Sequence, residues 1–342
     1  MKLPVKLIFI SVLWFDPALT RSQSTPIDND KILEYNKLSS EYILKKKFDS
    51  ARYYNDQAFS WLERYPSEIQ LINALNIKGR ILSRTGNNHD AINYYQQAIE
   101  MAESKEDTAY MTIASRIYGN IGGVYYYLKN FDKALEYATK GYQISKKVGM
   151  IEAEGMFQMQ MGISHMENGD YDQSLPLLLK SVDFYLNNYN PFLLQMGYVN
   201  LGKLYYQKDD LIMSEEILSK ALALSDSIEA LAGNAHANLL MAQIYRKKGG
   251  LDKALQYANT SLDIARTNQR GINLAHAYEL LHELHRLKGD FERSLLTLEK
   301  YNRLNDSLRS SETVQKIAEL EAKYETEKKE QEIKLANAEM ER

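Results

Sequence analysis

A chain of 342 residues that is 44% hydrophobic and 25% charged can bury a substantial core and is too apolar to stay a disordered tail. Its formal net charge of −3 supplies no strong basic field, so no nucleic-acid partner is expected of this chain. The absence of cysteine excludes disulfides, thiolate catalysis and Cys-ligated zinc or iron–sulfur centres, while 6 prolines and 17 glycines among many Leu, Ala, Tyr, Lys and Glu favour helices over a β-rich fold.

Residues 1–24 have the three-part form of a secretory signal peptide. Lys2 and Lys6 open it, Leu7 to Phe15 form an apolar run too short to span a bilayer, and Ser22-Gln23-Ser24 places small residues where a signal peptidase cleaves. A mature chain starting near Thr25 is therefore expected to be exported, to the periplasm. No other stretch is apolar enough to cross a membrane.

From residue 25 to 310 the chain repeats itself. A polar turn leads in all units but the second to an apolar residue, then to a pair that contains Asp or Glu in all units but one, and then to a small residue at Ala51, Ala91, Ala134, Ser174, Ser214, Ala254 and Ser294, spaced by 40 residues except for one step of 43. A second small position lies 12 residues earlier, at Ser39, Gly79, Gly122, Gly162, Gly202 and Ala242, with His282 breaking the rule. A third lies 7 residues later, at Ala58, Ala98, Gly141, Ser181, Ala221 and Ser261, and ends at Tyr301. Small sites in fixed register mark where helices approach too closely for larger side chains. Between them a large residue precedes the first-helix small site by one (Leu38, Ile121, Leu201, Leu281) and an aromatic follows it by three (Tyr42, Tyr125, Tyr205, Tyr245), which is helical spacing. Gly86, Gly169, Gly249 and Gly289 are placed to end first helices at positive φ, and nearby Asp or Asn can cap the second. Each unit is thus read as helix, tight turn, helix.

This pattern of large, small and aromatic positions on one helix and small, large, small on the next resembles the tetratricopeptide repeat, over roughly residues 28 to 310. The resemblance implies an all-α fold: a right-handed α-solenoid of about seven helix-turn-helix units, each unstable alone and stacked on its neighbours. The period of 40 is longer than the family's usual length of about 34, so the extra residues must lengthen helices or loops.

Residues 311–342 form a charged, helix-favouring segment without proline or glycine, expected as a C-terminal helix or stalk. Ile317, Leu320, Tyr324, Ile333 and Leu335 are its sparse apolar points, and a continuous heptad fails around Glu325 to Glu332. Self-association through this helix is one expectation. The export signal, the repeats and the stretch "AELEAKYETEKKEQEI" are together similar to the extracytoplasmic halves of Bacteroidetes-type sensors, where such a stalk leads to a transmembrane helix and a histidine kinase or DNA-binding regulator. Two readings follow from that resemblance: a free relative, or a sensory portion ending before its membrane segment.

Little in the chain suggests reaction chemistry. "GNIGG" at Gly119 to Gly123 has no preceding strand and places Gly122 in the small-site register, so it is read as packing rather than a phosphate loop. His282 and His285 are three apart, whereas zinc peptidase helices space their histidines by four, and both occupy repeat packing positions. No nucleophile–base set, cofactor motif or metal site stands out, so catalytic residues, cofactors and metals are expected to be absent.

The resemblance places function in the concave groove lined by the first helices, at positions three before, one after and four to five after the small site. On this sequence these are Arg80 and Arg84, with Arg116 ahead of the third unit, and Tyr126 and Tyr127 within it. Met159 and Met166 follow, then Lys203 and Tyr206. Asn120 and Asn200 lie two residues before small sites, where family members use an amide to hold a peptide backbone. The partner is then an extended peptide or flexible protein segment, its carboxylates paired by the arginines and its apolar side chains met by the methionines. An intracellular peptide-pheromone receptor would also use such units, but the export signal argues against it.

Overall fold

The computed structural model describes residues 26–188, 190–228, 231–267 and 271–306, so the expected signal peptide and the 311–342 stalk lie outside the described residues. The helices run α1 (Pro26–Leu44), α2 (Phe48–Arg64), α3 (Glu68–Arg84), α4 (Asn88–Glu103), α5 (Thr108–Tyr127), α6 (Phe131–Val148) and α7 (Ile151–Glu167). They continue as α8 (Tyr171–Asn187), α9 (Pro191–Gln207), α10 (Leu211–Ile228), α11 (Leu231–Lys247), α12 (Leu251–Thr267) and α13 (Gly271–Leu287), followed by α14 (291–306). Odd-numbered helices open the units and even-numbered helices close them. No strand occurs among the described residues.

The register of small sites is the register of packing. Across a unit, the first-helix site meets the second-helix site 12 residues later: Ser39 Oγ donates to Ala51 O at 2.7 Å, Ser174 Oγ to Gly162 O at 2.7 Å, and Ser214 Oγ to Gly202 O at 2.8 Å. One level further out the separation becomes 26, as Ser115 Oγ donates to Gly141 O at 3.0 Å and Ser261 Oγ to Ala235 O at 2.8 Å. Separation that grows along the pair is the signature of antiparallel helices. The first-helix glycines also leave room for the residue four positions into the partner. A Cβ on Gly79 would stand 2.5 Å from the Tyr95 ring, and one on Gly202 would stand 2.6 Å from Leu218. The third small site serves the next unit instead: a Cβ on Gly141 would lie 2.3 Å from the ring of Phe157, which is wholly buried.

In the first, third and sixth units the aromatic three residues past the first-helix small site stacks across the unit. Tyr42 on Tyr54, Tyr125 on Tyr137 and Tyr245 on Tyr257 lie with centroids at 5.3, 5.4 and 5.6 Å and planes within 13°. The turn between the helices has one geometry throughout. In the third unit Asn130 N–H donates to Tyr125 O at 2.9 Å and Lys129 N–H to Tyr126 O at 3.0 Å, the paired bonds of a Schellman motif. The left-handed residue is Gly86, Gly169, Gly249 or Gly289 as expected, but Lys46, Lys129 and Asp209 adopt it too, with φ of 56°, 56° and 63°. Side-chain caps form at Asn130, Asp210 and Asp290, whose Oδ1 atoms accept from Lys133, Met213 and Arg293 N–H. Asn87 and Asp170, at the same position, make no such bond.

The longer period goes into the helices. In the fourth unit two helices of 17 residues alternate with links of three residues, so the turns remain tight. Each second helix then packs on the next first helix, and the core runs as a chain of clusters rather than one centre.

Candidate functional site

Neighbouring first helices touch one another along the solenoid. Asn120 Nδ2 donates to Asn76 Oδ1 at 2.9 Å, Gln160 Nε2 to Gly119 O at 3.4 Å, and Tyr126 OH to Glu167 Oε1 at 3.3 Å. Lys203 Nζ meets the same Glu167 Oε1 at 2.5 Å, and Arg246 pairs with Glu283. Among the described residues no hydrogen bond or ion pair joins one second helix to the second helix of the next unit. Close spacing on one side and wide spacing on the other makes the first helices the inner, concave wall.

The face that this wall presents differs in part from the expected one. Positions six before, one after and five after the small site carry the accessible side chains, including Arg116, Met196 and His276, then Lys203 and Gln243, then Arg84, Tyr127 and Lys247. The position three before is covered by the adjoining first helix: Asn76, Met159, Val199 and Leu239 are all buried. Met159 and Met166, at 4% and 1% exposure, therefore belong to the core shared by the fourth and fifth units and do not line the groove. Their long flexible side chains fill interhelical gaps there.

The other expected groove residues fall into two groups. Arg84, Arg116 and Tyr127 are exposed, Tyr127 at 71%. Arg80 is half-buried, its Nη1 donates to Ser40 Oγ at 3.3 Å, and burial lowers the pKa of its guanidinium. Asn120 is tied to Asn76, and Asn200 Nδ2 donates to Met196 O at 2.8 Å, so both amides spend donors within the wall. Tyr126 packs on Phe131 with centroids at 5.7 Å, and burial first, then Glu167, raises the pKa of its phenol. Tyr206 lies under Lys247 Nζ at 4.5 Å, and that lysine pairs with Asp209 at 2.6 Å. His282 and His285 turn away from any shared site: His282 Nδ1 lies 3.0 Å from Ser294 O, and His285 Nδ1 lies 3.8 Å from Asp290 Oδ2.

One concavity on the wall was not anticipated. Between α9, α11 and α13 a cavity of about 310 Å³ is lined by Lys203, His236, Gln243, Arg246, His276, Glu279 and Glu283 over a floor of Leu239, Leu240 and Leu280. His236 and His276 sit 40 residues apart in the same register, six before the small site. Burial, then Lys203 and His276, push the His236 imidazole down to about 4, and burial also lowers His276, so both rings are neutral at pH 7. Lys129, on the turn after α5, adds a smaller downward influence on His276. Reading the sequence in steps of 40 from Arg116, through Met156 and Met196, leads to His236 and His276.

Models described as tetratricopeptide repeat match residues 72–105 and 115–148, and 193–267. The chain carries tetratricopeptide repeats. Its solenoid is similar to the apo form of RapI, with a TM-score of 0.67 at 15% identity over 82% of this chain and 99% of that one. It is similar to NprR in complex with its cognate peptide NprX, at 0.60 and 18% over 81% and 78%. A STAND protein with a tetratricopeptide repeat sensor, PH0952 from Pyrococcus horikoshii, gives 0.60 and 19% over 84% of this chain and 44% of that one. No curated protein matches the sequence. At these identities the likeness is one of fold. No described helix is long and apolar enough to cross a membrane.

Proposed function

We propose that this chain is an exported, non-enzymatic scaffold that binds an extended peptide or flexible protein segment along the wall of its first helices. The observation that carries the reading is the wall itself: neighbouring first helices stand side by side and leave Arg84, Arg116, Tyr127 and His276 exposed. An extended segment advances by about 3.3 Å per residue, so several of its side chains meet successive helices, and each weak contact is repeated. NprR, of similar fold, is seen with a peptide bound. In a sensor, as the sequence of the stalk suggests, the same groove would be the ligand-sensing surface. The arginines of the N-terminal half pair carboxylates of the partner, and Tyr127 offers a broad aromatic face.

Capture of partners by the full chain tests this. The double variant Arg84→Glu/Arg116→Glu should lose capture by about tenfold or more, as expected when charge-assisted bonds become repulsive. Lys220→Glu on the outer helix α10, whose lysine pairs with Glu216 one turn away, should leave capture unchanged. Equal capture by all three proteins would rule out the groove.

A further inference from the structure

We infer that the cavity between α9, α11 and α13 is a subsite for a basic side chain adjoining an apolar one in the bound segment. This rests on the groove reading above and names the chemistry that its C-terminal half selects.

The charges of the cavity do not cancel. Lys203 is neutralised by Glu167 at 2.5 Å, and Arg246 is neutralised by Glu283. His236 is neutral at pH 7 because burial opposes its charged form, and partial desolvation shifts the more exposed His276 in the same direction. That leaves Glu279, exposed at the cavity edge, as the carboxylate without a hydrogen bond or ion pair among the described residues. Lys129, on the turn after α5, does not line the cavity and makes no ion pair with Glu279 among the described residues. Among the lining residues one unpaired carboxylate is left beside three buried leucines.

A ligand complementary to this arrangement brings one cation and one apolar group. The leucine floor formed by Leu239, Leu240 and Leu280 accepts an aliphatic or aromatic side chain. Glu279 accepts from an ammonium or guanidinium group beside it. Gln243, which makes no hydrogen bond within the described residues, can both donate to and accept from a peptide backbone. An acidic side chain would meet Glu279 and Glu283, while the two cations of the lining, Lys203 and Arg246, are already engaged. The two halves of the groove thereby differ in sign preference: arginines towards the N-terminus seek carboxylates, and this cavity seeks a base. Such a groove fixes the direction of a bound segment.

Selection of displayed random heptapeptides on the full chain, Glu279→Gln and Arg84→Glu tests the inference. Wild-type protein should enrich sequences with Lys or Arg next to Leu, Ile, Met or Phe. The affinity of a selected peptide should fall about tenfold or more in Glu279→Gln while its apolar preference persists. Glu279 is exposed, so a thermal melt matching wild type will show that the variant is folded. Enrichment of acidic or neutral peptides, or basic peptides indifferent to Glu279→Gln, would overturn the subsite. If those peptides still respond to Arg84→Glu, the groove reading stands without it. If no sequence is enriched on any protein, both fall together.

Discussion

His236 is held neutral at a place where its ordinary pKa of 6.5 has been driven to about 4, first by burial and then by Lys203 and His276, with Glu167 opposing them. In the unfolded chain the same ring takes up a proton near pH 6.5. Between those values the unfolded state binds the proton that the folded state refuses, so this contribution is fully present above pH 6.5 and is lost as pH falls towards 4. Discounted for partial exposure of the ring, the loss should be about 1–2 kcal/mol. Urea unfolding of wild type and His236→Gln at pH 7 and pH 4.5 checks it. The variant should lose less stability on acidification, and an equal loss would mean that the ring is solvated as freely folded as unfolded.

At the scale of the element, the tight turn explains why the period tolerates such varied sequence. Every first helix closes with the same pair of backbone bonds, which require one left-handed residue. Glycine adopts that conformation without penalty, and a side chain costs about 1–2 kcal/mol. Gly169→Ala should therefore destabilise by about 1 kcal/mol, since φ is 86° there and no neighbour lies within 4 Å of the added Cβ to compensate. Lys129→Gly, at φ of 56°, should be neutral or mildly stabilising, because relief of backbone strain opposes the greater freedom of glycine in the unfolded chain. Denaturant midpoints for the two variants would separate a backbone origin from a side-chain origin. Loss of stability in both would point to Lys129 making a contact that outweighs its strain.

For the whole molecule, the clusters of core residues pass from unit to unit, so stability is shared between neighbours and not pooled in one centre. The last described pair shows the consequence. Phe291, Leu295 and Leu296 of α14 are exposed at 70%, 60% and 50%, whereas Phe131, Tyr171 and Leu251, in the position of Phe291, are half-covered. Hydrogen exchange should therefore find α14 opening at lower free energy than α5 and α6, which are packed on both sides. Uniform protection along the array would contradict this nearest-neighbour picture.

The 40-residue period by itself determined the helical solenoid, the small sites, the glycine turns and the packing role of His282, because each follows from local sterics repeated at a fixed interval. Gly79 and Gly202 are small because a Tyr95 or Leu218 side chain must enter the space that a Cβ would fill. What the sequence left open was which face of each first helix remains bare. Met159 and Met166 and the exposed Tyr127 all lay at expected groove positions, yet only Tyr127 is accessible, because the amount of overlap between adjoining first helices decides which side chains they cover. The His236 cavity was hidden for the same reason. Its lining comes from three helices, and whether Lys203 and Arg246 are free or already paired depends on carboxylates contributed by neighbouring units, a property of tertiary stacking alone.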